Sequence, residues 1–249
     1  MIRTEAANGV HRLTIDRPDR KNAFDPATTA ALLEALEVAA RAPDCKVIAI
    51  TGAGGGFSAG RDLKEVVVEG RARILAQDET WVRLFQVLHR ARQPSVAIVE
   101  NFAVAGGFTL AMGCDFVIAE EKARFGALEM RNGFPASVCT PILARLLGPR
   151  LGLELALFGA MVPATRLYEI GLVNRLAAGS EDLQREADAF IEHLLGLDPD
   201  AVALTRETFR AAENMPIDNA LDMGKHLNQM LAASGWFSEG ATRMAEQTR

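Results

Sequence analysis

Twice in the first half of the chain a short β-branched run gives way to clustered glycines. Val47 to Ile50 leads into GGGFSAGRDL, Gly54 to Leu63, and Val96 to Val99 leads into ENFAVAGGFTLAMGCD, Glu100 to Asp115. The second cluster continues past Gly106 and Gly107 as a short apolar helix ending at Gly113. A strand that delivers a glycine loop, and then a helix, is the repeating element of α/β architectures and not of bundles or sandwiches. The rest of the chain has to say what those loops hold.

The flanking pattern agrees. Asn8-Gly9 between two short runs, the second alternating Leu13 and Ile15 with Arg12, Thr14 and Asp16, predicts a hairpin with a two-residue turn. Asp25 and Pro26 supply an N-cap and first position for a helix running to about Ala42 and ended by Pro43. Leu63, Val66 and Val67 recur at helical spacing, and a longer helix after Gly70 carries Ile74, Trp81, Leu84, Phe85 and Leu88 on one stripe. Phe116 to Ala119 and the neighbourhood of Arg124 and Phe125 read as strands. Beyond Thr140 the chain reads as helical for most of its length. Leu183, Ala187, Phe190, Ile191 and Leu194 share one helix face, and Pro199 and Pro216 separate two further helices. The expected organisation is an α/β core over residues 1–198 and a helical region over 199–249.

Composition narrows the function classes. With 249 residues, 49% of them hydrophobic, the chain can bury a full core. Its net charge of −5 and the scatter of Lys and Arg give no stripe for a nucleic-acid backbone or an anionic membrane. The N-terminus MIRTEAANGV has no apolar leader, and no stretch reaches the roughly 20 apolar residues of a membrane span, so the expected location is cytoplasmic. Cys45, Cys114 and Cys139 are odd in number without paired spacing, which predicts buried free thiols.

The first loop admits three chemistries. Gly56-Phe57-Ser58-Ala59-Gly60 spells the nucleophile elbow of serine hydrolases, but His11, His89, His193 and His226 are poorly placed to activate Ser58 and no oxyanion segment precedes it. Gly54 to Ala59 spells a dinucleotide loop, yet no second strand with a ribose-binding acid follows at the required distance. The third reading uses only backbone: Gly60 turns the Arg61 amide into a pocket, and the Gly106-Gly107 pair exposes an amide at a helix N-terminus, where the dipole favours negative charge. Two such amides make an oxyanion hole.

At this point the residues resemble a family. GFSAGRDLKE (Gly56 to Glu65), NFAVAGGFTLAMGCD (Asn101 to Asp115) and ARFGALEMRNGFP (Ala123 to Pro135) look like the signature segments of the crotonase, or enoyl-CoA hydratase/isomerase, superfamily. IDRPDRKNAF and GLVNRL (Gly171 to Leu176) match its flanking segments, in order and over nearly the whole chain. The resemblance implies a crotonase-like spiral of β-β-α units with a C-terminal helical portion, assembled as a homotrimer or homohexamer. It also implies an acyl-CoA substrate, with coenzyme A entering as part of that substrate and no separate cofactor or metal.

By position, the resemblance places the thioester oxygen between Arg61 N–H and Gly106 N–H. Removing a proton beside a thioester, or adding a nucleophile to its conjugated double bond, moves charge onto that oxygen, and each preorganised amide there contributes about 3 kcal/mol. The Arg61 side chain, Lys21 and Lys64 are matched to the CoA phosphates, and backbone from Ala59 through Asp62 to Leu63 to the adenine. Glu129 matches the later of two proton-transferring glutamates in the family's hydratases. The earlier one is replaced by Thr109.

Two carboxylates naturally hold one water for addition. With Glu129 alone, a 1,3-proton shift through the enolate is the simpler reaction, so double-bond isomerisation is narrowly favoured; water addition with Thr109 orienting the water stays open. An RNA-binding branch, a catalytically dead scaffold and the serine hydrolase are the competing classes. Ala136 and Ser137 stand where the family carries glycines, which predicts altered acyl-pocket walls. The ending MAEQTR is shorter than the family's usual basic and aromatic tail, so a CoA contact from a neighbouring subunit is expected to be missing.

Overall fold

The computed structural model describes residues 1–62 and 71–237. The expected helical spacing of Leu63, Val66 and Val67, the CoA contacts of Leu63 and Lys64, and the MAEQTR ending lie outside those residues. Residues Met1–Pro199 form one compact unit and Asp200–Arg249 another.

The first unit is built on a six-stranded sheet of order β1-β2-β3-β4-β6-β9. β1 (Ile2–Ala7) and β2 (Val10–Ile15) pair antiparallel through a turn in which Asn8 and Gly9 both adopt positive φ, and this is why Asn-Gly occurs there. β3 (Val47–Gly52), β4 (Ser95–Val99), β6 (Phe116–Glu120) and β9 (Arg175–Ala177) continue the sheet in parallel. A parallel sheet is covered on both faces, so its strands are apolar throughout. Alternate residues divide accordingly. Leu13, Ile15, Ile48, Ile50, Ala97 and Val99 join the larger core beneath α1 (Pro26–Arg41), α2 (Arg71–Arg90) and α3 (Gly106–Gly113). Val10, Val47, Ala49, Val96 and Ile98 pack instead on Leu183, Ala187 and Ile191. Those three lie on the apolar stripe of the helix Ser180–Leu195.

A second, three-stranded sheet has the order β5-β7-β8, with β5 (Phe102–Val104), β7 (Arg124–Gly126) and β8 (Val162–Pro163). The chain alternates between the sheets: β4 enters the large one, β5 the small one, and α3 follows. Then β6 and β7 do the same, followed by a 3-10 turn (Leu128–Asn132) and α4 (Cys139–Phe158). Each β-β-α unit thus steps sideways from the last, which is the spiral.

The region beyond Thr140 is less uniformly helical than expected. β8 precedes α5 (Ala164–Glu169), and β9 closes the large sheet before α6 (Ser180–Leu195). Both strands are two or three residues long and are created by partners far away in sequence, Phe125 for Val162 and Ile118 for Arg175. In the second unit the described helices are α7 (Pro199–Ala212) and α8 (Ile217–Ala233).

Candidate active site

The first glycine loop is fastened from below by the segment before α1. Asn22, itself buried with φ +55, donates from Nδ2 to Ala53 O (2.8 Å) and Gly56 O (2.7 Å) and accepts the Arg17 N–H at Oδ1 (2.9 Å). Ser58 is fully buried; its hydroxyl donates to Asn22 O (2.7 Å) and accepts from Gly60 N (3.1 Å). Both partners are main-chain atoms, and His89, His193 and His226 are exposed, so Ser58 is a structural strut and not an activated nucleophile. Among the described residues, through Asp62, the glycine run opens no helix, which counts against the dinucleotide reading.

Arg61 forms a parallel bridge with Phe24, made by Phe24 N–H to Gly60 O (2.8 Å) and Asp62 N–H to Phe24 O (2.9 Å). In such a bridge the central residue's own amide points to the other side. That side is the start of α3. A Cβ on Gly60, whose φ is +88, would lie 2.6 Å from Gly106 N, and one on Gly106 would lie 3.4 Å from Arg61 N. The two loops therefore meet backbone to backbone, and glycine is required at the seam. Among the described residues neither the Arg61 nor the Gly106 N–H has an acceptor.

Ala105, the residue before α3, has φ +48 and ψ −125, strained for any residue with a Cβ. Three hydrogen bonds hold it: Ala105 N to Gly126 O (2.8 Å), Val104 N to Ser58 O (3.0 Å) and Thr109 N to Ala105 O (3.0 Å). Its strained turn sets the entry into α3, whose first residue, Gly106, would bring a Cβ within 3.4 Å of Arg61 N. The Trp81 ring, stacked in a tilted pair with Phe24 at 5.2 Å, closes the seam from α2.

Glu129 follows β7 on the 3-10 turn, which ends at Gly133 in the left-handed region. Its carboxylate is half-buried, and Oε2 is buried without a hydrogen-bond partner. Burial raises its pKa above the ordinary 4.5, only partly offset by its own backbone N–H. A buried carboxylate oxygen without a partner and with a raised pKa is the kind of group that functional sites carry. Thr109 sits one turn into α3, buried, with its hydroxyl donating to Ala105 O at 3.3 Å. Cys139, at the start of α4, is buried, and burial pushes its thiol up to about 12.

The other expected positions divide. Ala59 N–H donates to Lys21 O (2.9 Å), which brings those two together, and Lys21 is exposed. The Arg61 guanidinium turns away to Asp78 Oδ1 (2.7 Å) and Gln77 Oε1 (3.4 Å) on α2. It lines a cavity of about 210 Å³ with Phe24, Thr29, Thr80 and Trp81. Ala136 is buried and its carbonyl accepts both Thr140 N–H and Oγ1–H (2.8 Å each) at the start of α4, whereas Ser137 is exposed. Cys45, Cys114 and Cys139 are free and buried, as their spacing predicted. The spacing singled out neither the Asn22 staple nor strained Ala105.

Residues 5–249 match the family model described as Enoyl-CoA hydratase/isomerase, and the chain belongs to that family. A 1,2-epoxyphenylacetyl-CoA isomerase of Escherichia coli K12 is 29% identical over 97% of this chain and 94% of its own. A carnitinyl-CoA dehydratase of Salmonella typhi is 33% identical over 83% of this chain and 78% of its own. A crystal structure of an enoyl-CoA hydratase from Polaromonas sp. JS666 superposes with a TM-score of 0.90 at 28% identity, covering 98% of this chain and 97% of that one. The fold is the crotonase fold. The relatives' names span isomerase, dehydratase and hydratase, so the reaction has to be argued from this chain's own side chains.

Proposed function

We propose that this protein is an enoyl-CoA isomerase, moving a double bond from the 3- to the 2-position of an acyl-CoA with Glu129 as its one acid/base. The observation that carries this is the inequality of the two proton-transfer positions: Glu129 has a buried, unpartnered carboxylate oxygen, whereas the other position is Thr109, a neutral group whose hydroxyl is bonded to Ala105 O. Glu129 takes a proton from the α-carbon. The electron pair moves onto the thioester oxygen, where Arg61 N–H and Gly106 N–H receive the negative charge, and the resulting dienolate takes the same proton back at the γ-carbon. Each amide contributes about 3 kcal/mol. The raised pKa of Glu129 suits both directions of transfer, since a carboxyl poised nearer neutrality is a stronger base and still releases its proton.

Coenzyme A enters as part of the substrate. Exposed Lys21, tied to Ala59 through the backbone, supports a phosphate contact shared with Lys64, and backbone from Ala59 through Asp62 to Leu63 meets the adenine; the Asp78 pair draws the Arg61 guanidinium away from that task. The exposed apolar side chains Phe209, Ile217, Leu221 and Met230 on α7 and α8 support a homotrimer or homohexamer. Among the described residues no helix is long and apolar enough to cross a membrane, in keeping with a cytoplasmic enzyme.

The test follows the ultraviolet absorbance of the conjugated enoyl thioester. With 3-enoyl-CoA the absorbance rises, and Glu129→Gln abolishes the rise. If absorbance instead falls from 2-enoyl-CoA and nothing happens to 3-enoyl-CoA, the enzyme adds water and the isomerase reading is wrong.

A further inference from the structure

The segment before α1 does not hold its shape by itself. Arg17 leads into a single 3-10 turn, Pro18–Arg20, and the chain leaves it through Lys21 and Asn22, successive residues with φ +52 and +55. Residues with a Cβ persist in that region only where their surroundings over-determine them. Arg17 is where those restraints meet. Its carbonyl accepts Arg20 N–H and Asn22 N–H (2.9 Å each), and its own N–H donates to Asn22 Oδ1 (2.9 Å). Its side chain joins the far end of the segment: one terminal nitrogen donates to Ala23 O (2.6 Å) and the other pairs with Asp25 Oδ2 (2.9 Å). Both side chains of that pair are only 17% exposed. The other Asp25 oxygen, Oδ1, accepts Thr28 N–H (2.6 Å) and caps α1.

A planar guanidinium fixes two acceptors at once, in distance and in direction. Here the two acceptors flank one residue, Phe24. Phe24 also joins this segment to the first glycine loop, giving its N–H to Gly60 O (2.8 Å) and accepting Asp62 N–H (2.9 Å), on either side of Arg61. Asn22 and Ser58 fasten the loop ahead of Arg61, at Ala53, Gly56 and Gly60, whereas the Phe24 bridge spans Arg61 itself.

We infer that Arg17 is a positioning residue for the oxyanion hole: by clamping Ala23 O and the Asp25 carboxylate around Phe24, it aims the Arg61 N–H. The inference rests on that amide being one of the two that receive the thioester oxygen, and it holds for isomerisation and water addition alike.

Wild type, Arg17→Gln, Arg17→Lys and a destabilised control, Ile118→Ala, are compared as purified full-length proteins. Ile118 is buried in the core on the other face of the large sheet. The probe is butyryl-CoA isotopically labelled at its carbonyl carbon, which has no double bond to move or hydrate, and its carbonyl stretch is followed by infrared difference spectroscopy, free and bound. Donors aimed at the oxygen polarise the carbonyl and lower the stretch. kcat and KM are measured with 3-enoyl-CoA. Arg17→Gln loses the fork, so the lowering on binding falls to about half and kcat falls about ten- to hundredfold, with KM changing less than about threefold. Arg17→Lys keeps the charge beside Asp25 but has one point donor for two acceptors, and its readings fall between those of Arg17→Gln and wild type. Ile118→Ala melts lower and keeps the stretch and kcat.

A purely structural Arg17 would behave like that control: a lower melting temperature with the wild-type stretch and kcat within about threefold, and that result overturns the inference. A rise in KM alone, with the stretch retained, assigns the segment to CoA binding through Lys21 and overturns it too. If Arg17→Gln does not fold, Arg17→Lys decides by the same readings; if neither folds, Arg17 serves the fold as a whole and the inference is overturned. If wild type leaves the stretch where it lies in free butyryl-CoA, the oxyanion-hole reading itself fails. If wild type lowers the stretch and leaves 3-enoyl-CoA untouched, the isomerase reading fails and the stretch still decides the role of Arg17.

Discussion

Gly60→Ala separates the two amides without removing either, and its consequence can be worked out from the seam. Gly60 has φ +88, and an added Cβ would stand 2.6 Å from Gly106 N, 2.8 Å from the Ala105 Cβ and 3.0 Å from Val104 O. Two of these are main-chain atoms of β5 and α3, held by hydrogen bonds to Ser58 and Gly126, so they yield only if the loop shifts away from α3. Holding an alanine in the left-handed region costs roughly 1–2 kcal/mol before any clash is counted. With the contacts included, a loss of about 3 kcal/mol is expected, which lowers the melting temperature by about 6–12 °C in a chain of this size. The larger effect is on catalysis. Losing one donor of an oxyanion hole lowers kcat by about 10²–10³, and KM for acyl-CoA should change far less. Gly55→Ala is the control: φ is +78, but the nearest atom a Cβ would meet is Glu100 Oε1 at 4.0 Å. It incurs similar backbone strain in open space and keeps kcat within about threefold, since no donor moves. The reasoning is refuted if Gly60→Ala, folded, turns over within about fivefold of wild type, or if Gly55→Ala loses as much as Gly60→Ala.

Further expectations concern the groups around the seam. Burial raises the Glu129 pKa, so the folded protein keeps that proton to higher pH than the unfolded chain does; stability is lost as pH rises from the ordinary 4.5 through the raised value. Glu129→Gln therefore melts higher than wild type at neutral pH and loses that advantage below pH 4.5, and equal melting at neutral pH would contradict the assignment. For the same reason the base limb of wild-type kcat/KM lies above 4.5. Asn22→Ala leaves Arg17 N–H and the carbonyls of Ala53 and Gly56 without their partner, lowering stability by about 3 kcal/mol and kcat with it as the loop loosens. Ser58→Ala removes two main-chain contacts and costs about 1–3 kcal/mol in chemical denaturation. Mass spectrometry of wild type during turnover should show no acyl group on Ser58.

The parts of this molecule that could be read from its sequence are those made by neighbours in the chain. The Asn8-Gly9 turn, the Asp25-Pro26 start of α1, the stripe of α6 and the two glycine loops are local, and the structure has them where the residues indicated. What escaped is made by distant partners. β9 is three residues long and is a strand only because Ile118 and Ala119 stand beside it, 57 residues earlier in the pairing of Ile118 with Arg175. Asn22 is one polar residue in a charged segment until Gly56, 34 residues on, accepts its amide. Ala105 gives no hint of its positive φ, because its strain is imposed by Ser58, Gly126 and α3 together. The guanidinium of Arg61 was matched to phosphates by its position along the chain, and the neighbouring helix α2 claims it through Asp78.

The central claim is that one carboxylate carries one proton from the α- to the γ-carbon. It is tested most directly with 3-enoyl-CoA deuterated at the α-carbon, turned over in ordinary water and analysed by mass spectrometry and NMR after a single pass. Transfer by Glu129 in a site shielded from water predicts deuterium at the γ-carbon of the 2-enoyl product. Complete replacement by solvent hydrogen at that carbon, from the earliest time points onward, would show that a second group or a water delivers the proton, and would contradict the account.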